Sequence, residues 1–352
     1  MSMFEKSIKD IAEEMVQGHL TPGVVLLVNS GNEIIYCGAI GTTQYQDQGT
    51  QPVTLDTIYD IASITKAITA TAVLMLLNRG AISLNDWLAR FFPSSAYGEE
   101  VTIRHLLTHT SGIAIQMSKL ATLKEPALMH QAILGASLES VPGNKVMFTN
   151  VNSYLLGQII ESVSGMSLDQ FFREELFTPL GMDNTTFNPP TRLLSKIAPA
   201  EIVEGRGIIH GEVHDESAYA LGGVAGHAGL FSTAGDLKCF CQLWLQEGVY
   251  KDRRFFSKSL AQEAVKSQVS AGEPGTGFGW MLNREWMGQL RPLSFGHTAF
   301  TGPSIMVTPR YNLAVVFLAN RTYPHRGGVD RHDQSRMMDA LFAELGQSNL
   351  GK

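Results

Sequence analysis

Residues 63–78 read SITKAITATAVLMLLN, a run apolar on nearly every side in which Lys66 is the only charged group, closed by Arg79 and Gly80. A helix with no polar face must be enclosed by neighbours, and the glycine stop marks where it ends. That requirement excludes a small or thin fold. The chain has 352 residues, beyond the roughly 250–300 at which a single core stops growing, so two intimately packed subdomains are expected around this helix. Composition agrees: 44% of residues are hydrophobic and 17% charged, ordinary values for a globular protein.

On either side of that helix the pattern differs. The first residues, MSMFEKSIKDIAEEMVQGHL, place Met3 or Phe4, Ile8, Ile11 and Met15 at helical spacing among charges, an amphipathic helix. VVLLVN (24–29) and EIIYCG (33–38) are β-rich and separated by SGN, which is hairpin chemistry. Helices are expected over 103–112, 152–165 and 167–182, each ending near a glycine. After the glycine-dense stretch 221–237, Thr233 and Asp236 have the spacing of a capping box for DLKCFCQLWLQEG. Strands return at 292–297, 304–309 and 313–320, and a last helix at RHDQSRMMDALFAELG. Strands near both ends predict an α+β fold: one antiparallel sheet flanked by helices and formed from both chain ends, with a mainly helical part inserted. The expected division is 1–62 plus 235–352 for the sheet-bearing subdomain and 63–234 for the helical one, with the active site in the cleft between them.

Charge and cysteines narrow the partners. Lysine and arginine number 27 against 33 acidic residues, 27 − 33 = −6, with no basic footprint for nucleic acid. Cys37, Cys239 and Cys241 lack zinc-site spacing and are expected as buried free thiols. His210, His214 and Asp215 stand together in GIIHGEVHDESA, but the glycine between the histidines works against a helical ligand pair and no H-E-x-x-H follows, so neither a metal nor a cofactor is expected. No run reaches the roughly 18 apolar residues of a membrane span. Without a signal-peptide apolar core the chain is expected in the cytoplasm, or in the periplasm where an export signal has been removed. The expected partner is a small-molecule or peptide substrate; nothing in the sequence speaks to oligomeric state.

Ser63 and Lys66 lie three apart at the start of the apolar helix, on one face and within reach of each other. A serine hydroxyl is a poor nucleophile until a base takes its proton. Lysine is such a base only when neutral. Its pKa must fall from about 10.4 toward about 7, a loss of roughly 4–5 kcal/mol of preference for the ammonium. Burial among isoleucine and alanine supplies that loss, and the positive field of a helix N-terminus adds to it. The competing reading is a chance S-x-x-K whose lysine reaches solvent. Downstream, GHTAFTG (296–302) precedes a strand-like run. There the Thr298 hydroxyl can anchor substrate and a backbone N–H can join that of Ser63 as an oxyanion hole, unless the segment is a plain turn. In VPGNKVMFTNVNSYLLG (141–157) Asn150 stands near a helix start, suited to a cleft or to simple N-capping.

Taken in order, Ser63-x-x-Lys66, LLTHTSGI (106–113), VPGNKVMFTN leading into YLLGQIIESVSG, GGVAGHAGLFSTAGDL and GHTAFTG resemble the serine β-lactamase and penicillin-binding-protein superfamily. The likeness is greatest to the branch of class C β-lactamases, D-alanyl-D-alanine carboxypeptidases of the penicillin-binding protein 4B type, and related esterases; it runs from about residue 20 to about residue 322. It implies a β-lactamase/transpeptidase-like fold and a serine hydrolase that forms an acyl-enzyme with an ester or amide: a β-lactam, a D-Ala-type peptide or a small ester. It also implies roles: Ser63 as nucleophile, Lys66 as general base, and Asn150 as the Y-x-N residue that contacts substrate amides. His297, Thr298 and Ala299 stand where the family has K-T-G, often H-T-G in this branch, and the oxyanion donors would be the N–H groups of Ser63 and Phe300. VHDE followed by GGVAGHAGLFS recurs in the 4B-like branch as a loop bordering the cleft, which adds Asp215 and His227 as further candidates. His109 is expected as a buried residue of the fold.

Two positions depart from the family. The Y-x-N tyrosine is Phe148 and the glycine of H-T-G is Ala299. Phenylalanine has no oxygen with which to move a proton. Three outcomes are open: His297 relays the proton, Lys66 acts alone, or the protein is a weakened binder or sensor of cell-wall fragments or β-lactams that acylates slowly. The Ala299 methyl is expected to narrow the cleft and to favour small acyl groups.

Overall fold

The computed structural model describes residues 3–45, 50–327 and 331–348. Helix α1 (Met3–Gln17) buries Ile8, Ile11 and Met15 on one side. Strands β1 (Gly23–Ser30) and β2 (Glu33–Gly41) form the expected hairpin, turning at Gly31 with a φ of 54°. Then come helices α2 (Ile64–Asn78), α3 (Asn150–Ser164) and α4 (Ala234–Leu245). Strands β3 (Met281–Leu282), β4 (Phe295–Thr298), β5 (Ser304–Thr308) and β6 (Leu313–Ala319) follow, and helix α5 (His332–Ser348) ends the described chain.

The main sheet runs β3-β4-β5-β6-β1-β2, antiparallel throughout. Its centre joins the two ends of the chain, with Val24 opposite Ala319 and Ser30 opposite Leu313. Val24, Leu26 and Val28 face a core shared with α1 and α5, whereas Val25 and Leu27 face the larger core that holds α2 and α4. A sheet covered on both faces needs apolar side chains at every position, which is why β1 and β6 read as unbroken apolar runs. The architecture is α+β as expected, an antiparallel sheet formed from both chain ends and flanked by helices.

Helix α2 is enclosed as its sequence demands: every residue from Ile64 to Leu76 is buried. Two glycines make the enclosure close enough to matter. A Cβ on Gly279, whose φ is 73°, would come within 2.2 Å of the Ala70 Cβ, and a Cβ on Gly226 would come within 2.1 Å of the Ser153 carbonyl oxygen. The backbone around Gly226 therefore passes tightly along α3, and its carbonyl takes a hydrogen bond from the Thr69 hydroxyl of α2.

Some local expectations are corrected. The helix expected over 103–112 ends at Leu107, because His109 turns the chain with a φ of 57°. The one over 167–182 contains a wider-wound π segment, Phe172–Phe177. Thr233 does cap α4 through the Asp236 N–H, but the Asp236 carboxylate accepts from Asn184 N–H and the Thr185 hydroxyl, so only half of a capping box forms. Cys241 is buried, but Cys37 is exposed on the edge strand β2 and Cys239 is half-buried.

Candidate active site

Ser63 occupies the N-cap of α2, and the residue before it, Ala62, has a φ of 37°. That region costs a non-glycine residue about 1–3 kcal/mol and persists only where the surroundings dictate it. Asp60 supplies the restraint. Its carboxylate accepts from Ala62 N–H at 2.8 Å and His214 N–H at 2.7 Å, and its carbonyl accepts from the Thr301 hydroxyl at 2.9 Å. The turn that presents Ser63 is thus tied to two loops remote in sequence. Burial pushes the Asp60 carboxyl upward against these donors.

One turn into the helix, Lys66 Nζ lies 2.6 Å from Ser63 Oγ and 3.2 Å from the His227 carbonyl oxygen. The side chain is buried, and desolvation lowers its pKa to about 8 against the opposing charge of Asp215. A neutral amine keeps one lone pair. With an N–H directed at the His227 carbonyl, that lone pair is free for the Ser63 hydroxyl proton. Among the described residues, the N–H groups of Ser63 and Phe300 donate to no backbone carbonyl, which leaves both free for a substrate oxygen.

Asn150 opens α3 and donates from Nδ2 to Asp215 Oδ2 at 3.1 Å. Asp215 Oδ1 accepts from the Ser217 hydroxyl at 2.6 Å, Ala218 N–H at 2.8 Å and His227 Nε2 at 3.2 Å. Burial works against this carboxylate, but the His227 ring and the converging donors hold it below the usual carboxylate range. Ser217, His227 and Asp215 have the residue types of a catalytic triad without its geometry. One ring nitrogen, Nε2, meets both Ser217, at 2.9 Å, and Asp215, whereas a triad base needs its carboxylate on the other nitrogen.

Strand β4 forms the facing wall. His297 Nδ1 lies 2.9 Å from the Thr298 carbonyl, which can only accept, so Nδ1 carries the proton and Nε2 is a buried acceptor with no partner among the described residues. Burial, assisted by Lys66, lowers the ring's pKa to about 3, and it stays neutral across the working pH range. Ala299 is buried and packs with the main apolar core, and it also lines the opening. Phe300 is exposed, its ring 5.8 Å from that of His214 and 5.7 Å from the Arg326 guanidinium. Across the opening, exposed Phe148 packs 5.0 Å from the His109 ring and 5.3 Å from the Arg284 guanidinium.

All eight residues expected as catalytic or substrate-contacting, Ser63, Lys66, Phe148, Asn150, His297, Thr298, Ala299 and Phe300, line one cleft of about 480 Å³. Asp215 and His227 stand behind Asn150 and Lys66. Met281, Gly327 and Arg331 complete the lining; no spacing in the sequence pointed to them. Arg331 donates to the carbonyl of Ala299 at 2.6 Å and to Gln334 at 3.1 Å, and Arg284 donates to the carbonyl of Gly275. Among the described residues, neither guanidinium has a carboxylate partner. His109 is buried against Asn152. His210, His214 and Asp215 turn to different partners, His210 to the carbonyls of Leu194 and Ile197 and His214 to Glu201 at 2.6 Å. The described residues hold no cluster placed for a metal ion and no helix long and apolar enough to cross a membrane.

A protein of Escherichia coli O157:H7 named provisionally as a D-alanyl-D-alanine carboxypeptidase is 32% identical to this chain, over 94% of it and 84% of its own length. Among solved structures, the octameric penicillin-binding protein homologue from Pyrococcus abyssi is similar with a TM-score of 0.76 at 24% identity, over 97% of this chain and 77% of its own. EstCE1, a hydrolase with promiscuous acyltransferase activity, is similar with a TM-score of 0.79 at 21% identity, over 96% of this chain and 98% of its own. At such identities these two structures speak for the fold. The family model described as Beta-lactamase matches residues 8–336, and the chain belongs to the Beta-lactamase family.

Proposed function

We propose that this protein is a serine hydrolase of the S-x-x-K type that cleaves an ester or amide through an acyl-enzyme on Ser63. The observation that carries the reading is the buried Lys66 amine, 2.6 Å from the Ser63 hydroxyl and lowered to about 8. Lys66 takes the hydroxyl proton as Ser63 Oγ attacks the carbonyl carbon, and the N–H groups of Ser63 and Phe300 receive the developing oxyanion. The bond to the leaving group then breaks, and the Lys66 ammonium returns the proton to it. Water attacks the acyl ester by the same exchange, freeing the acid and restoring Ser63. Phe148 cannot share these transfers, and a ring with a pKa of about 3 is a poor proton carrier at neutral pH, so Lys66 serves both directions. His297 Nε2 instead accepts from a substrate or water hydroxyl. In this reading the cleft lies between an inserted part, 63–234, that carries Ser63, Lys66, Asn150 and Asp215, and a part built from 1–62 and 235–352 that carries β4.

Arg284 and Arg331, cations near the cleft without carboxylate partners among the described residues, favour a substrate bearing an anionic group. The names of the similar carboxypeptidase and hydrolase support both amide and ester chemistry. The test is intact-protein mass and product release after mixing with p-nitrophenyl acetate or a fluorescent penicillin. Steady product formation that vanishes in Ser63→Ala is expected. An adduct that persists on Ser63 would replace hydrolysis by capture, and turnover unaffected by Ser63→Ala would overturn the reading.

A further inference from the structure

Behind the cleft wall, one carboxylate is bonded to two of the elements that the chemistry needs. Asp215 Oδ2 takes the Asn150 amide and Oδ1 takes the His227 ring, while the carbonyl of that same His227 holds Lys66 Nζ at 3.2 Å. No backbone connection explains the convergence: Lys66, Asn150 and the 215–227 segment come from three separate stretches of the chain. Oδ1 is saturated by Ser217, Ala218 and His227, so the side chain has one position. Oδ2 receives Asn150, which uses one amide hydrogen there and leaves the amide carbonyl oxygen and a second N–H for the cleft.

We propose that Asp215 is the positioning residue of this site, orienting Asn150 for substrate and acting as the fixed negative charge that sets how readily Lys66 gives up its proton. The proposal rests on the Ser63–Lys66 reading above and assigns Asp215 a role that reading does not need. Charges near Lys66 come from each element around it. His109 and His297 are both lowered to about 3 by burial and are therefore neutral at pH 7. The His227 ring is turned toward Asp215 through Nε2. Arg284 and Arg331 act on His297. Asp215 opposes the desolvation that strips the ammonium of its stability. Without it, Lys66 would be a weaker base, neutral over a wider range but less able to pull a proton from Ser63.

The direct measurement is NMR titration of Lys66 in protein labelled at lysine Cε, which reads the amine whether or not any substrate turns over. In Asp215→Asn the Lys66 midpoint is expected to fall by about 1 pH unit or more, the effect of one charge removed at roughly 10 Å or closer in a medium of effective dielectric near 20. The rising limb of the pH profile for Ser63 acylation should move down with it. Asp215→Glu keeps the charge and displaces its oxygens, so the Lys66 midpoint should stay near that of the native protein while KM rises about tenfold through Asn150. A purely structural Asp215 would lower the yield of folded protein and leave the Lys66 midpoint in place in Asp215→Asn, and that overturns the proposal. Should Asp215→Asn not fold, Asp215→Glu decides: an unchanged KM, or a midpoint displaced as far as charge removal predicts, overturns it as well. Failure of the underlying reading shows elsewhere, as turnover that survives Ser63→Ala.

Discussion

The two walls of the cleft are built on opposite plans. On the α2 and α3 side, Ser63, Lys66, Asn150, Asp215 and His227 are linked to one another by hydrogen bonds between 2.6 and 3.2 Å, with His227 Nδ1 lacking a partner among the described residues and the Ser63 N–H donating to no backbone carbonyl. On the β4 side, His297 Nε2 has no partner among the described residues, the Phe300 N–H donates to no backbone carbonyl, and the Phe300 ring stands in solvent. A wall whose side chains bond one another holds its geometry before substrate arrives. A wall without such links is completed by substrate. The contrast separates proton handling, which must be set in advance, from recognition, which is left to the incoming molecule.

The first way to break this comparison is Lys66→Met. Loss of the base should cut acylation by about 10³-fold, within the range of a positioned acid–base group, as read by the rate of Ser63 labelling. The same variant should be more stable. The folded value of about 8 lies below the 10.5 of a free lysine, so the unfolded chain holds more protons between those limits and native stability rises with pH across them. Below about 8 the burial penalty is present in full. That span of 2.5 units is on the order of 3 kcal/mol, and the stability gain of Lys66→Met in denaturant titrations should shrink as pH climbs from 8 toward 10.5. A variant that loses activity without gaining stability would show that Lys66 is not held against a desolvation penalty.

Next in size is pH itself. In the proposed mechanism neutral Lys66 is the active form, so acylation should rise by about 100-fold from pH 6 to a plateau above pH 8, tenfold per unit on its lower limb; a flat profile would remove Lys66 as the base. Phe148→Tyr sharpens the comparison by adding a hydroxyl to the linked wall. It should raise the rate of acyl-enzyme hydrolysis by roughly tenfold, less than the 10²–10⁴-fold of a fully positioned acid–base group, and an unchanged rate in stopped-flow deacylation would mean that Lys66 alone already suffices. The smallest effect belongs to the open wall. His297→Gln keeps a polar acceptor and should change KM by only about threefold with kcat little altered; a collapse of kcat would instead make His297 a proton carrier.

How much of this was legible beforehand follows from what each residue depends on. The buried helix, the first hairpin and the three strands β4 to β6 were visible because unbroken apolar runs and glycine turns are local signals. Strand β3 was not, since two residues, Met281 and Leu282, carry no periodicity. The pairing of Asn150 with Asp215 joins positions 65 residues apart, and no spacing rule reaches that far. Arg331 was invisible for a related reason: it serves the cleft from the segment before α5 through the carbonyl of Ala299.

Asp60 has a consequence for how such a protein changes over time. Through three hydrogen bonds it couples the bend at Ala62 to the loops at His214 and Thr301, so loss of the Asp60 carboxylate or of the Thr301 hydroxyl disturbs the bend that presents the Ser63 hydroxyl. Drift toward a new substrate is thereby channelled away from that junction and onto the solvent-facing rings of Phe148 and Phe300, where replacements reshape the entrance while the attacking group keeps its aim.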